Sequence, residues 1–452
     1  MRILFFYSMY HPEPRERPLG AMDQIQFGIA HISALLKAHG HATDLLVVSH
    51  DGARGDLGVV RRRIAAFRPD IVGFYAVATE FDYVLSVARY IRTIAPRCYL
   101  LIGGPHVTLC SEAASAKPFD AVCIGEGELP TLEVATQLTQ GRTPSHIRNL
   151  WLRRGTEMQK NPTRAFLRNL DGLPFPDRMP WLEYVRSPAS RPSLLLGRGC
   201  PFDCTYCSNH ALKRVSAGPY VRMRSADSIV AEIVDLIDWY RFPKPPEVYL
   251  EVETFALDLE WTLEVCRRLR ELNDRVAEPL SYGVNLRVLH GLQTDELFAA
   301  MASAHFAFVN IGLEVGSERV RREVLKRDYS NEDVVRTVAA ARRHGLKVYF
   351  YNMIGLPGET RAEHQETIWM NRLCRPDGHV TGIFYPYPGT DLHQRCKEMG
   401  LPVDSLCPAR ERRQAVLSCE DFSAREIERA LRLFDRRVRR GRSPPTGRSW
   451  PV

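Results

Sequence analysis

The chain has 452 residues, 45% of them hydrophobic and 25% charged, with a formal net charge of +8. That length suits two or three domains, and no apolar run approaches the ~18 residues a membrane span needs. The start, Met1-Arg2-Ile3-Leu4-Phe5-Phe6, lacks the small-residue cleavage pattern of a secretory leader and reads as a strand, so a cytoplasmic location is expected.

The first 140 residues alternate short apolar strands with amphipathic helices. Ile3 to Tyr7 reads as a strand, Gln24 to Ala38 as a helix stopped by His39-Gly40, and Thr43 to Val48 as the next strand. A helix near Leu57 to Phe67, a strand over Asp70 to Phe74, a helix from Asp82 to Ile94 and a strand from Tyr99 to Gly104 follow. Ala121 to Ile124 closes the series, with a helix after Glu128. Alternating βα units of this kind predict an α/β, doubly wound, Rossmann-like sheet whose ligand sits beyond the carboxyl ends of the strands. Residues 141–190 carry Pro144, Pro162, Pro174, Pro176, Pro180 and Pro188, hold no period, and are expected to wrap between domains.

From Arg191 a second βα series begins, spanning 191–395. Its strands are read as a first one ending at Gly197, then Val248–Glu251, Leu280–Asn285, Phe308–Glu314, Val348–Met353 and Gly382–Tyr385. The intervening helices are Asp227–Tyr240, Leu259–Leu272, Asp295–Ser303, Asn331–His344 and Ala362–Leu373, the fourth opening on a capping-box pattern at Ser330. Six units make a partial (β/α)6 barrel, whose working residues belong at the carboxyl ends of its strands. Residues 396–452 read as a helical extension with an Arg-rich tail.

Behind the first of these strands stands Gly199-Cys200-Pro201-Phe202-Asp203-Cys204-Thr205-Tyr206-Cys207, a CxxxCxxC pattern. Three thiolates on one short loop suit three irons of a [4Fe–4S] cluster and leave the fourth open for a ligand. Buried free thiols and a zinc site are the alternatives; zinc normally asks for a fourth protein ligand. The other eight cysteines show no paired metal spacing and are expected as core or incidental thiols, although Cys396, Cys407 and Cys419 are the set a second cluster would need. The arginine clusters fall at helical spacing or in the Pro/Gly/Ser-rich end, without interleaved aromatics. That argues for solvated faces and against nucleic acid, leaving an acidic electron donor as the partner class the charge suits.

The cysteine spacing, with aromatic Tyr206 before the third cysteine, resembles the radical SAM superfamily, in which the open iron chelates S-adenosylmethionine (SAM). The resemblance implies metal ligation by Cys200, Cys204 and Cys207, with Tyr206 near the adenine. It places Glu251 and Glu253 of Glu251-Val252-Glu253 at the SAM amino group. Glu314 and Ser317 of Gly312–Ser317 fall near the ribose and methionine, and Gly355 of Met353–Thr360 in the turn beside the adenine. Pro69–Gly73, Ile102–His106 and Ile124–Glu128 resemble the cobalamin-binding domain that precedes many such barrels, with Gly103 and Gly104 as cofactor contacts. The DxHxxG signature that supplies a histidine to cobalt is absent, since Tyr7-Ser8-Met9-Tyr10-His11-Pro12 stands there. Two states of that domain stay open, one binding cobalamin without an axial histidine and one retained only as scaffold.

The same resemblance implies the chemistry. A donor such as flavodoxin or ferredoxin reduces the cluster, SAM is cleaved, and a 5′-deoxyadenosyl radical abstracts hydrogen from a small polar substrate. Two endings compete. The preferred one is loss of a hydroxyl, as in the radical SAM diol dehydratases of aminoglycoside (apramycin-type) antibiotic biosynthesis. Those act on a paromamine-type amino sugar, and an NAD(P)H-dependent reductase then reduces the product. Glu251 and Tyr220 would be the carboxyl and phenol able to protonate the leaving hydroxyl, Asn285 a substrate contact, and Glu251, Glu253, Asp258 and Glu314 an acidic mouth for a polycation. The other ending is methyl transfer from cobalamin.

Overall fold

The computed structural model describes residues 1–52, 56–115, 118–188, 191–240, 247–403 and 407–439. Five parallel strands open the chain: β1 (Arg2–Tyr10), β2 (Ala42–His50), β3 (Ile71–Tyr75), β4 (Tyr99–Gly103) and β5 (Ala121–Cys123). They lie in the order β2-β1-β3-β4-β5. One face, with Ile3, Phe5, Ile71 and Leu101, packs on α1 (Phe27–Ala38) and α4 (Glu128–Thr139). The other, with Leu4, Phe6, Val72 and Ile102, packs on α2 (Leu57–Phe67) and α3 (Phe81–Ile94). Strands covered on both faces need continuous apolar runs, which is why these were legible. The chain order reverses between β1 and β3, the place where such sheets open a ligand crevice. Helix α1 starts at Phe27 rather than Gln24 because Met22–Gln24 form a separate 3-10 turn and the Gln26 side chain caps the Gly28 N–H.

The 141–190 segment differs from the expected unstructured wrap. β6 (Leu150–Arg154) pairs antiparallel with β5, and β7 (Glu157–Lys160) pairs back on β6, so the sheet gains a hairpin edge. Only Leu150 and Leu152 are buried, while Trp151 meets Lys160 across the pair, the ammonium 4.3 Å from the ring centre. The strand was hidden by its charged outer positions. Beyond it the chain does wrap, returning Val185–Ser187 to pair with Leu19–Ala21.

The second unit is a six-stranded parallel sheet in simple sequence order: β8 (Ser193–Leu195), β9 (Glu247–Glu251), β10 (Ser281–Leu286), β11 (Phe306–Glu314), β12 (Lys347–Ile354) and β13 (Gly378–Ile383). Helices α5 (Ala226–Tyr240), α6 (Leu259–Asn273), α7 (Thr294–Ser303), α8 (Asn331–Arg343) and α9 (Arg361–Cys374) alternate with the strands. Val284, Val309, Ile311, Val348 and Phe350 belong to the core shared with these helices. The last strand begins and ends earlier than Gly382–Tyr385; it is an open edge whose Gly-His-Val-Thr start carries little apolar signal, and Tyr385 lies past its end. Against its face packs α10 (Ala424–Arg439), whose Ile427, Ala430 and Phe434 join a small core with Ile354 and Ile383. The Arg-rich tail from residue 440 onward lies outside the described residues. Among the described residues no helix is long and apolar enough to cross a membrane.

Candidate active site

The cysteine loop leaves β8 through a short ribbon, Gly197–Arg198 paired antiparallel with Arg222–Met223. Gly199 takes φ +89, and a Cβ there would stand 2.1 Å from the Tyr220 carbonyl oxygen, so only glycine fits the entry to the loop. The loop is pinned on the barrel side by Thr205, whose N–H donates to Leu325 O at 3.2 Å and whose hydroxyl donates to Val324 O at 2.6 Å. Arg287, one residue past β10, donates to Cys204 Sγ at 2.9 Å and lies 3.8 Å above the Phe202 ring. Asn209 Nδ2 donates to Cys207 Sγ at 3.6 Å, and Asn209 Oδ1 accepts the Tyr220 phenol proton at 2.6 Å. Burial pushes the Cys207 thiol up to about 11, and Cys200 upward as well.

Among the described residues no three His, Cys, Asp or Glu side chains converge to chelate a single metal ion. A cube-shaped cluster takes each thiolate on a different iron. The donor set fits it, because a guanidinium and an amide hydrogen-bond to the sulfurs and favour their charged form. Cys200, Cys204 and Cys207 would hold the cluster, with its fourth iron left to SAM.

Three cavities surround this loop. The largest, about 680 Å³, runs from Tyr206, Cys207 and Glu314 to Tyr385, Tyr387 and Arg412. Its domain-one wall is the Val77–Thr79 segment with Pro105, His106 and Leu109, and Thr79 donates to Glu411 Oε2 at 3.0 Å. A second, about 380 Å³, lies between the two units, with Tyr75, Gly104 and Glu126 on one side and Asn209, Tyr220 and Glu253 on the other. The third, about 200 Å³, follows the sheet beneath α1 and is edged by Gly28, Gly73, Gly103, Gly104, Gly125 and Gly127. Tyr75, Gly104, Gly125, Glu126 and Arg198 border both of the last two, which makes a continuous boundary from the glycine-lined slot to the cluster loop. No histidine lines either one. A slot of this size walled by glycine backbone takes a flat part of a ligand, and the remainder of a corrinoid would need the adjoining interdomain cavity. With no histidine on either lining, the residues fit a corrinoid held without an axial histidine, the first of the two states open from sequence.

The site residues expected from sequence separate into groups. Tyr206 and Glu314 meet in the large cavity: the phenol donates to Glu314 Oε1 at 2.9 Å, and Arg327 reaches both oxygens at 2.7 Å. Glu314 is held at φ +60, a left-handed conformation rare for a side chain of its size and characteristic of functional sites. Burial raises the Tyr206 phenol pKa despite the nearby guanidinium. Tyr220 and Glu253 line the interdomain cavity, and Gly103 and Gly104 the slot. Asn285 sits deeper, accepting from the Tyr249 hydroxyl at 2.7 Å and Asn310 at 3.3 Å. Glu251, at the end of β9, has its carboxyl pushed up to about 7 by burial and by Asp23 and Glu253. Ser317 and Gly355 border none of these cavities. The Ser317 hydroxyl donates to Glu363 at 3.1 Å, and a Cβ on Gly355 would meet Ile427 of α10 at 2.9 Å. Asp258 caps α6 by accepting from the Trp261 N–H at 3.1 Å. The four carboxylates expected as one acidic mouth therefore do not share a surface.

Sequence reasoning singled out Arg287 with Asn285 but missed three other arginines. Arg327 compensates Glu314, while Arg198 and Arg222 pair with Glu126 and Glu128 of the Gly125-Glu126-Gly127-Glu128 turn. None of these pairs has a local spacing that would disclose it.

A glycine-slotted Rossmann unit packed against a six-stranded partial barrel, with three cysteines at the shared boundary, defines a two-cofactor class of protein. Comparison with known proteins gives that class its terms. The radical SAM superfamily model matches residues 194–368, and the B12-binding domain model matches residues 21–135. The chain carries both domains; the radical SAM domain implies a [4Fe–4S] cluster and SAM as cofactors, and the B12-binding domain supports cobalamin. It is 26% identical over 411 residues to an uncharacterized methyltransferase of Pyrococcus horikoshii, covering 90% of this chain and 85% of that one. It is likewise 26% identical to the anaerobic magnesium-protoporphyrin IX monomethyl ester cyclase of Rubrivivax gelatinosus, over 89% and 71% of the two chains. Its fold matches that of the radical SAM methyltransferase TsrM from Kitasatospora setae, solved with cobalamin and a [4Fe–4S] cluster. The TM-score is 0.67 at 18% identity, over 88% of this chain and 78% of that one.

Proposed function

We propose that the chain is a cobalamin-dependent radical SAM methyltransferase acting on a small molecule. The observation that carries this reading is the shared boundary between the glycine-lined slot and the space facing the cysteine loop. It lets a corrinoid held by the first domain face a substrate held by the barrel. When bound, the cluster with SAM supplies radical initiation and the corrinoid supplies a transferable methyl group. The chain's own contribution is placement and shielding. Cys200, Cys204 and Cys207 hold the cluster, Glu253 and Tyr220 border the space between the cofactors, and Arg327 with Tyr206 fixes Glu314.

Dehydration of an amino sugar, preferred from sequence on family resemblance, was to be served by an acidic mouth, but Glu314 is matched by Arg327 and Asp258 serves as a helix cap. The large cavity instead presents Tyr351, Met353, Val380, Phe384, Tyr385 and Tyr387. We take its substrate to have a substantial apolar or aromatic surface. The NAD(P)H-dependent reductase belongs to the dehydration reading and falls with it; a low-potential donor of the flavodoxin or ferredoxin kind is retained. The test is anaerobic purification, cluster reconstitution, addition of hydroxocobalamin and desalting. One corrinoid per chain, together with reductive formation of 5′-deoxyadenosine, is the expected result. SAM cleavage without retained corrinoid would return the assignment to dehydration, and cleavage surviving the triple Cys200→Ala, Cys204→Ala, Cys207→Ala change would overturn the radical SAM site itself.

A further inference from the structure

The boundary between the two cofactor spaces is built on a four-membered ion cluster in which Glu128 and Arg222 are buried and Glu126 and Arg198 half-buried. Arg198 donates to Glu126 at 3.0 Å and to Glu128 at 2.6 Å, and Arg222 donates to Glu126 at 2.8 Å. Glu126 also accepts the Leu167 N–H at 2.8 Å, and Arg222 reaches the Leu167 carbonyl at 2.9 Å, so the connector is tied into the same knot. Both carboxylates belong to the glycine turn after β5, and a Cβ on Gly127 in that turn would stand 2.9 Å from Ile32 of α1. The turn is itself wall of the slot, since Gly125, Glu126, Gly127 and Glu128 all line it. Both arginines face each other across the ribbon that enters and leaves the cysteine loop. Arg198 continues through Gly199 into Cys200. Arg222 continues back to Tyr220, whose phenol holds Asn209 beside Cys207. Displacing the ribbon moves the loop at two of its three cysteines.

Resting on the methyltransferase reading, we propose that Glu126, Glu128, Arg198 and Arg222 are positioning residues that couple corrinoid occupancy of the slot to cluster loading of the cysteine loop. Buried charge pairs of this kind have few alternative arrangements, since breaking one leaves an uncompensated charge. A corrinoid that settles the turn settles the ribbon, and by linkage a loaded cluster tightens the corrinoid by the same factor.

The probe is hydroxocobalamin, titrated into the full-length chain with its cluster reconstituted and again after the iron has been chelated away. In the wild type the cluster-loaded form should bind at least about fivefold more tightly, the lower end of ordinary coupling. In Glu126→Gln the two affinities should agree within about twofold, whatever their absolute values, and Arg222→Lys, which keeps the charge, should restore part of the difference. Glu128→Gln, which leaves Arg198 one partner, serves as the second variant if Glu126→Gln does not fold by circular dichroism. A wild type that binds equally with and without its cluster, or a Glu126→Gln or Glu128→Gln chain that keeps the full difference, overturns the coupling alone. A wild type that binds no hydroxocobalamin overturns the methyltransferase reading and the coupling with it.

Discussion

The charge of Glu251 depends strongly on the fold: burial, with Asp23 and Glu253 nearby, lifts its carboxyl from 4.5 to about 7. A carboxyl that holds its proton longer when folded contributes stability that is complete below about pH 4.5 and lost as pH rises through about 7. Replacing it by Gln should reduce the fall of the urea midpoint between about pH 5 and pH 8; part of the fall remains, because burial also raises the Glu359 carboxyl, to about 8. The difference should favour the variant at the upper end by on the order of 2 kcal/mol. Gly199 is constrained differently. Gly199→Ala would drive a methyl into the Tyr220 carbonyl, and the expected outcome is a several-fold fall in bound iron, measured by colorimetric assay, with secondary structure intact. Arg287 adds positive charge and a donor at the Cys204 sulfur. Arg287→Met should shift the cluster's reduction potential to more negative values, read by EPR-monitored redox titration; an unchanged potential would remove Arg287 from that role. The cysteines and Glu314 were legible because their motifs are short and local. Arg198, Arg222 and Arg327 were not, because an arginine's partner is chosen by packing across 13 to about 100 residues of chain, which no spacing rule encodes.

At the scale of elements, both predicted series hold strand for strand, and the errors have physical reasons. Strands packed on both faces need apolar runs; the hairpin β6–β7 and the edge strand β13 are covered on one face only, so their sequences alternate or turn polar and fade from view. Helix starts were clearer. Ser330 caps α8 in a full capping box with Asp333, and Thr360 does the same for α9 with Glu363. Ser330→Ala should cost about 1 kcal/mol by chemical denaturation. Thr360→Ala should cost more, because Glu363 also accepts from Ser317 and from Arg319 at 2.7 Å. The Gly312–Ser317 segment is thus steadied from α9 through the Ser317 hydroxyl.

At the scale of the molecule, cofactor and fold are linked through the slot, since its wall draws on both domains through Leu195 and Arg198. A ligand that binds only the folded chain stabilises it by mass action, about 2.7 kcal/mol at a concentration 100 times its dissociation constant. Saturating hydroxocobalamin should therefore raise the thermal midpoint of the whole chain by a few degrees, and a truncated first domain should gain less.

The open side of the barrel has a consequence for synthesis. Strand β13 ends at Ile383, and the helix that covers its face begins at Ala424. At ~5–20 residues per second, a ribosome exposes the strand for roughly 2–8 s before its cover has been made. During that time an edge with Val380 on its surface, 62% exposed even in the finished fold, is free to pair with another nascent chain. Slower translation across residues 384–423 should lower soluble yield without changing the specific properties of the protein that survives.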